Sequence, residues 1–290
     1  MGKRVYRTGR WTPDGRIGRI PAQHATIRAP WSAAAKADRR IGHAIEPHDT
    51  IGSTNDRARK LLVESGETGR VILAELQTAG RGRRGRSWSS PPGLNLTFSV
   101  ALRPDLAAAD AWRLAAGAGL AIRTGAAAWA ELSLKWPNDV VDADGRKVAG
   151  ILIETALDGD RLASAVIGIG INVNWRRASM PEVLRPRATS LADLAGEPID
   201  RVALLGRILD DLDARIGVRS GEDELVTAYR AASWLTGRPV AVAIGDRTLT
   251  GVARGIGDDG TLTVDVGRGE LVSVAYGEVE RVTEPVEAVA

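Results

Sequence analysis

The pattern of apolar residues changes near Gly237, and this change constrains the fold more than any other feature of the chain. Before it, short apolar runs typical of buried strands alternate with stretches in which apolar residues recur at helical spacing. After it, short strand-like runs follow one another over about 50 residues, separated only by Gly- and Asp-rich turns. The sequence therefore predicts an α/β (α+β) domain over residues 46–236 and a small β-barrel over residues 237–290.

One strand shows its periodicity most clearly. From Leu94 to Leu102, apolar side chains alternate with small or polar ones, which predicts a strand with one face in the core. Short apolar runs predict further strands at Val71–Leu76, Leu132–Trp136, Val148–Thr155 and Ser164–Ile171. Helical spacing predicts helices over residues 110–130, 202–216 and 222–234.

Composition excludes several classes of function. The chain has no cysteine, which excludes disulfides, thiolate metal sites and cysteine nucleophiles. Its three histidines all lie in the first 48 residues, which argues against a Ser-His-Asp triad in the body of the chain. Apolar runs fall short of the roughly 18 residues of a membrane span, and no secretory signal core is present. We expect a cytoplasmic protein without membrane contact.

Residues 1–45 form a basic arm. They carry 10 basic and 2 acidic residues, a net charge of +8, whereas the remaining residues sum to −5. Because they show no sustained apolar period, we expect the arm to be disordered. A solvated tail, a contact with nucleic acid or another anion, and a transit peptide remain open interpretations. The apolar framework of a winged-helix DNA-binding domain is missing.

A loop rich in glycine and arginine follows the first predicted strand. Between Gly80 and Arg86, four guanidinium groups fall within seven residues. Such a cluster repels itself in isolation and is favoured when its members share a polyanion, while the glycines let backbone N–H groups approach phosphate oxygens. The pattern matches neither the Walker phosphate loop nor a dinucleotide-binding glycine pattern. We interpret it as an anion-binding loop, with a mobile surface loop as the alternative.

Two further motifs follow the helix predicted over residues 110–130. Lys135 and Lys147 are two of only five lysines in an arginine-rich chain, which suggests that a compact point charge is needed there. Asp139 between them is either a turn residue or a partner of a ligand or metal. Glycines then alternate with isoleucine from Ile167 to Ile171, leaving one strand face without side chains for a ligand or for tight packing.

These motifs together resemble those of one enzyme family. The segments GSTNDRARKL, AELQTAGRGRRGRSWSSPPGLNLTFSV, LKWPNDV, GRKVAGILIET and VIGIGINVN look like the motif series of biotin–protein ligases, in the same order and spacing. The resemblance covers residues 46–285. It implies a mixed sheet flanked by helices, similar to the core of class II tRNA synthetases, followed by an SH3-like β-barrel. Lipoate ligases share the broader fold, but their Arg-Arg…Gly-Gly-Gly segment is not found here.

The resemblance implies a two-step reaction. Family members use ATP and Mg²⁺ to convert biotin into biotinyl-5′-AMP, and then transfer biotin to a lysine of a biotin carboxyl carrier domain of the acetyl-CoA carboxylase type. Neither step needs a protein nucleophile, which agrees with the absence of cysteine. One alternative is a lipoate or octanoate ligase of the same fold, although Gln77 and the Ser53–Thr54 pair favour a polar ureido ring. Another is a non-catalytic biotin sensor that binds nucleic acid, against which Lys147 argues.

The same resemblance assigns roles to individual residues. Lys147 would bridge the biotin carboxylate and the α-phosphate as a catalytic residue, together with Arg83 and Asp139. Biotin and biotinyl-AMP would contact Ser53, Thr54, Asn55, Gln77, Arg81, Gly82, Arg83, Lys147, Gly168 and Gly170. The nucleotide would contact Gly80, Arg84, Gly85, Arg86, Trp88, Asn138 and Asn172. No direct metal motif is present, so Mg²⁺ is expected to arrive with ATP. Because a winged helix is missing, no sequence-specific DNA binding is expected, and a homodimer through sheet edges stays open.

Overall fold

The fold is described from a computed structural model, which covers residues 9–11, 17–19, 30–217 and 222–282. Two compact units make up the chain, Met1–Pro30 and Trp31–Ala290. In the first unit, strand β1 (Gly9–Trp11) pairs antiparallel with β2 (Ile17–Arg19). These two strands lie within the arm, and its predicted disorder stays a prediction. The rest of the arm before Pro30 lies outside the described residues.

A seven-stranded mixed sheet forms the centre of the second unit. Its strands are β3 (Ile45–Ile51), β4 (Val71–Gln77), β5 (Leu96–Leu102), β6 (Ser133–Lys135), β7 (Asp139–Val141), β8 (Lys147–Asp158) and β9 (Arg161–Ile171). The spatial order is β3-β4-β5-β9-β8-β7-β6, and only the β3–β4 pair is parallel. This architecture confirms the predicted mixed sheet.

Strand β5 departs from its predicted exposure. Every residue from Leu96 to Leu102 is buried, so both faces of the strand are covered, not one. The face that carries Thr97 and Ser99 is small and polar because it contacts helix α1 (Thr54–Ser65), not water. Alternation therefore located the strand correctly but assigned the wrong environment to its polar face.

Four more helices follow α1 along the chain: α2 (Trp112–Ala126), α3 (Leu191–Ala195), α4 (Arg201–Leu212) and α5 (Glu222–Ala231). Glycines weaken α2 as an isolated helix, but they allow it to pack closely. A Cβ added at Gly119 would lie 2.9 Å from a Leu134 methyl, and one at Gly125 would lie 2.6 Å from Ile208 of α4. None of the described helices is long and apolar enough to cross a membrane.

A second, antiparallel sheet follows α5. Its strands are β10 (Pro239–Ile244), β11 (Arg247–Ile256), β12 (Leu262–Asp265), β13 (Leu271–Val274) and β14 (Glu278–Val282), in the spatial order β13-β12-β11-β10-β14. Buried valines and leucines of this sheet share one apolar cluster with Tyr229 of α5 and with Trp136 of the first sheet's domain. The small β-module predicted over residues 237–290 is therefore packed firmly on the α/β domain.

The segment from Trp31 to Ala44 belongs to the compact unit. Trp31 and Ile41 are buried, and the Arg39 guanidinium donates to Asp210 of α4 and to the carbonyl oxygen of Ala34. Packed residues therefore precede residue 46, where the sequence predicted the domain to start, and the sequence pattern did not show them. The reason is that the apolar residues here are few and not periodic, so that they produce no readable pattern, yet each is covered by α4 and its surroundings.

Candidate active site

The site lies on one face of the central sheet, where strands β8 and β9 lack side chains. Gly150 of β8 pairs with Gly170 of β9, and Gly168 lies two residues further along the same strand face. A Cβ added at Gly168 would lie 2.3 Å from the side-chain oxygen of Asn55, and one at Gly170 would lie 2.3 Å from the Trp88 indole. These glycines form a floor of bare backbone between an amide wall and an aromatic wall.

The amide end of the floor is a hydrogen-bonded cluster at the start of α1. The Gln77 side-chain oxygen accepts from the Thr54 backbone N–H at 2.7 Å and from its hydroxyl at 2.9 Å. The Ser99 hydroxyl lies 2.7 Å from Thr54 Oγ1 and 2.6 Å from Asn55 Oδ1. Ser53 is buried at the N-cap position, and its side chain makes no capping bond. These groups offer several donors and acceptors to a polar ring.

The Gly/Arg loop closes back on itself. The backbone N–H of Trp88 donates to the Gly80 carbonyl oxygen at 3.0 Å, and the backbone N–H of Gly82 donates to the Arg86 carbonyl oxygen at 2.7 Å. Gly80 is required by space, since an added Cβ would lie 2.4 Å from the Trp88 carbonyl oxygen. Arg84 occupies the left-handed region, with φ at 54°. The loop is a compact hairpin that presents its guanidinium groups in different directions.

Arg81 is directed toward carboxylates and away from the glycine floor. Its two terminal nitrogens lie 2.8 and 2.7 Å from the Asp56 carboxylate oxygens, and Glu154 lies 3.2 Å away. The hydrogen bond to Asp56 raises the pKa of Arg81, and the same bond lowers the pKa of the Asp56 carboxyl. Glu154 also accepts from Asn55 at 2.8 Å. Arg81 thus fastens the loop to α1 and β8.

The other three arginines of the loop contact Asn138, the Ala243 carbonyl oxygen and Glu278. Arg83 donates to the Asn138 side-chain oxygen at 3.1 Å, and its burial, followed by repulsion from Arg84, lowers its pKa. Arg84 donates to the Ala243 carbonyl oxygen at 3.2 Å. Arg84 and Arg86 both form ion pairs with Glu278 of β14. The loop therefore connects the central sheet with the C-terminal sheet.

Lys147 stands at the aromatic end of the floor. Its Nζ lies 2.6 Å from Asp139 Oδ1 and 5.8 Å from the centre of the Trp88 ring. A Cβ at Gly150 would lie 2.6 Å from the same Nζ, so the glycine makes room for the ammonium group. A fixed ammonium at the end of the glycine floor is suited to hold a carboxylate or phosphate oxygen.

Two predicted contact residues are also engaged in holding the backbone. Asn138 donates from its amide to the Ile151 carbonyl oxygen at 2.7 Å, while its oxygen accepts from Arg83. Asn172 donates to the Thr189 carbonyl oxygen at 3.1 Å and is buried.

Gly85 lies in the loop turn with φ at 72° and no neighbour close to where a Cβ would be. Among the described residues, no group of three acidic or histidine side chains could hold a metal ion.

Several residues of the site were not singled out from the sequence. Glu154 and Asp56 pair with Arg81, Ser99 bonds to the start of α1, and Glu278 pairs with Arg84 and Arg86. The only available signal was that of Ser99, a polar residue inside an alternating strand. The acidic residues have no local sequence signature, because each meets its arginine partner through the fold.

Comparisons with known proteins place the chain in one family. Residues 48–172 match the Biotin/lipoate A/B protein ligase family, and residues 235–282 match the Biotin protein ligase C terminal domain. The chain is 37% identical over 267 residues to the biotin--[acetyl-CoA-carboxylase] ligase of Mycobacterium tuberculosis, covering 87% of this chain and 96% of that protein. It is 34% identical over 233 residues to the bifunctional ligase/repressor BirA of Bacillus subtilis, covering 79% of this chain and 71% of that protein.

Solved structures give the same result. The biotin protein ligase of Aquifex aeolicus in complex with biotin and ATP superposes with a TM-score of 0.65 at 30% identity. That match covers 81% of this chain and 97% of the other. The sequence relatives above are at least 34% identical to this chain, which covers 71% and 96% of their lengths. The chain therefore belongs to the biotin protein ligase family.

Proposed function

We propose that this protein is an ATP-dependent biotin–protein ligase, which forms biotinyl-5′-AMP and transfers biotin to a lysine of a carboxyl carrier domain. The observation that carries the proposal is the glycine floor itself, which runs from the polar cluster at Thr54 and Gln77 to the ammonium group of Lys147. Such a channel fits a ligand with a polar ring at one end and a carboxylate at the other. The comparisons do not favour a lipoate ligase or a sensor without catalysis.

The polar cluster would hold the ureido ring of biotin. Ser53, Thr54, Asn55 and Gln77 supply both donors and acceptors, and a buried site that pairs such groups discriminates strongly against ligands without them. The apolar chain of biotin would then lie along Gly168 and Gly170, which have no side chains of their own and have the Asn55 amide and the Trp88 indole against them. The Trp88 indole closes the other side, and it moves aside or stacks when the ligand enters.

The chemistry needs positioning and fixed positive charge. In the first step a biotin carboxylate oxygen attacks the α-phosphorus of ATP, and the bond to the bridging oxygen breaks, so that diphosphate leaves with the electron pair. In the second step the carrier lysine attacks the acyl carbon and AMP leaves. Lys147 would neutralise charge on the carboxylate and α-phosphate in both steps, with Asp139 orienting its ammonium group. Arg83 would add a second cation.

The Mg²⁺ ion would accompany the nucleotide. Magnesium is commonly held by substrate phosphates and one or two carboxylates, so a dedicated protein cage is not needed. Asp139 is the carboxylate at this end of the floor, which fits that mode. The metal would shield the phosphate charge, and the chain's own residues would fix the position of the reacting oxygens.

Other proposals concern partners and location. The nucleotide would contact Gly80, Arg84, Gly85, Arg86, Trp88, Asn138 and Asn172, and Gly82 would contact biotin and biotinyl-AMP. Arg81 would contact the bound ligand after its hydrogen bonds to Asp56 and Glu154 are broken. A biotin carboxyl carrier domain as acceptor, a cytoplasmic location, the absence of sequence-specific DNA binding and a homodimer stay predictions.

One experiment tests the activity directly. The purified protein is mixed with biotin, radiolabelled ATP and Mg²⁺, with and without a biotin carboxyl carrier domain. We expect biotinyl-AMP without the carrier, and labelled carrier with release of AMP when it is present. The Lys60→Ala variant, altered on the exposed side of α1, is the control for Lys147→Ala. Turnover with lipoate instead of biotin would overturn the proposal.

A further inference from the structure

A second lysine lies beside Lys147 on the same sheet face. Lys135 ends strand β6, directly opposite Asp139 in the β6–β7 register. Residues that oppose each other across antiparallel strands project to the same face of the sheet. Since the Asp139 carboxylate binds Lys147, the side chains of both lysines are on the face that carries the proposed site.

Lys135 has no carboxylate of its own. Within the described part of the chain, Asp139 forms its ion pair with Lys147, and Glu278 forms its pairs with Arg84 and Arg86. The Lys135 ammonium lies over the Trp234 ring, with Nζ 5.9 Å from the ring centre. Burial lowers the pKa of Lys135, and the nearby Lys147 lowers it further, against the opposing effect of Asp139 and Glu278.

The partly buried ammonium group of Lys135 is energetically unfavourable unless an anion binds next to it. A partly buried ammonium without a charged partner loses hydration and gains little in return. A lysine side chain that extends into water is an ordinary surface residue. Lys135 is instead only partly exposed. Because Lys135 and Lys147 act on each other electrostatically, Lys135 extends the positive charge of the site beyond Lys147.

We propose that Lys135 binds the leaving diphosphate during adenylation, a role separate from that of Lys147 at the α-phosphate. The inference rests on the proposed ligase function. When the biotin carboxylate attacks, the bond between the α-phosphorus and the bridging oxygen breaks, and the diphosphate takes the electron pair and its charge. A fixed ammonium near this departing group stabilises the transition state, whereas the transfer step releases AMP and has no diphosphate to stabilise.

The test separates the two half-reactions. Lys135→Met keeps the length and apolar stem of the side chain but removes its charge. We expect the rate of biotinyl-AMP formation to fall by about 10²–10³-fold, as for loss of one fixed donor. The diphosphate-driven reverse reaction, which makes ATP from biotinyl-AMP, should lose its apparent affinity for diphosphate. Transfer from chemically prepared biotinyl-AMP to the carrier should stay within about twofold of wild type.

The controls make the result decisive. Lys60→Met removes an exposed lysine of α1 and should leave all three rates unchanged. Biotin binding measured by calorimetry establishes that the Lys135 variant is folded. A parallel loss in adenylation and transfer would assign Lys135 a structural role and overturn the proposal, as would an unchanged affinity for diphosphate. If wild-type protein makes no biotinyl-AMP, the ligase function fails instead, which is a different result.

Discussion

Replacing Gly170 by alanine should destabilise the protein through a single contact. The added Cβ would lie 2.3 Å from Cε2 and 2.5 Å from Cζ2 of the Trp88 indole. Carbon atoms pack at about 3.5–4.0 Å, so the ring has to move by roughly 1 Å or more. Adjacent positions are filled by Lys147 and Gly150, which leaves little free room for that movement.

The magnitude follows from two opposing effects. Overpacking of a filled site costs about 1–3 kcal/mol. Against this, alanine reduces the conformational entropy of the unfolded chain and contributes about 0.4–1 kcal/mol, because the Gly170 backbone is not in the left-handed region. The free energy of unfolding should therefore fall by about 1–2 kcal/mol. Urea unfolding followed by far-UV circular dichroism measures this without relying on the tryptophan signal.

A double-mutant cycle tests the cause. In a Trp88→Ala background the clash is absent, so Gly170→Ala should be neutral or stabilising by up to about 1 kcal/mol. Gly206→Ala in α4 is the matched control, because its nearest neighbour is 3.9 Å away and it should stabilise by about 1 kcal/mol in both backgrounds. Equal destabilisation by Gly170→Ala with and without Trp88 would refute the contact as the cause.

Three further predictions test other residues. Lys147→Ala should slow biotinyl-AMP formation by about 10²–10³-fold while changing calorimetric biotin affinity far less; an unchanged rate would exclude it from the mechanism. Glu75→Gln leaves the buried Arg201 without its charge partner and should cost about 3–5 kcal/mol in urea unfolding, largely recovered by the added Arg201→Met change. Arg57 lowers the pKa of Glu46, so this pair's stabilisation is present above the usual carboxyl pKa and is lost as pH falls below it. Glu46→Gln should flatten that acid limb of the stability profile, and an unaltered profile would contradict the assignment.

The sequence predicted the parts of the fold that have strong local periodicity. Strands β5, β8 and β9 were located from apolar alternation or short apolar runs, since central strands contain many buried residues. Strand β3 was not predicted, because Pro47, His48 and Asp49 give it the composition of a loop. It is tolerated as a strand because it lies at the sheet edge, where one side of the backbone needs no partner strand.

The candidate site was only partly readable for a related reason. Gly168, Gly170 and Lys147 were identified because glycine alternation and rare lysines are visible in one sequence. The environment of Lys135 was not identified from the sequence. Among the described residues, Lys135 lacks an ion pair because Asp139 pairs with Lys147 and Glu278 pairs with the loop arginines. A residue's chemistry is local, but its electrostatic state is a property of the folded chain.

The four loop arginines show this distinction most sharply. In the sequence they are equivalent. In the fold, Arg81 forms an ion pair with Asp56, Arg83 donates a hydrogen bond to Asn138, and Arg86 forms an ion pair with Glu278. The ion pairs of Arg81 and Arg86 are partly exposed and contribute only about 0–1 kcal/mol each, so they hold the loop weakly. A bound polyphosphate offers the same guanidinium groups a stronger partner, because charge-assisted bonds to phosphate have fixed, bidentate geometry. The carboxylates that position the ligand-free loop are therefore competitors of the nucleotide, and they set how much of its binding energy is used to rearrange the loop.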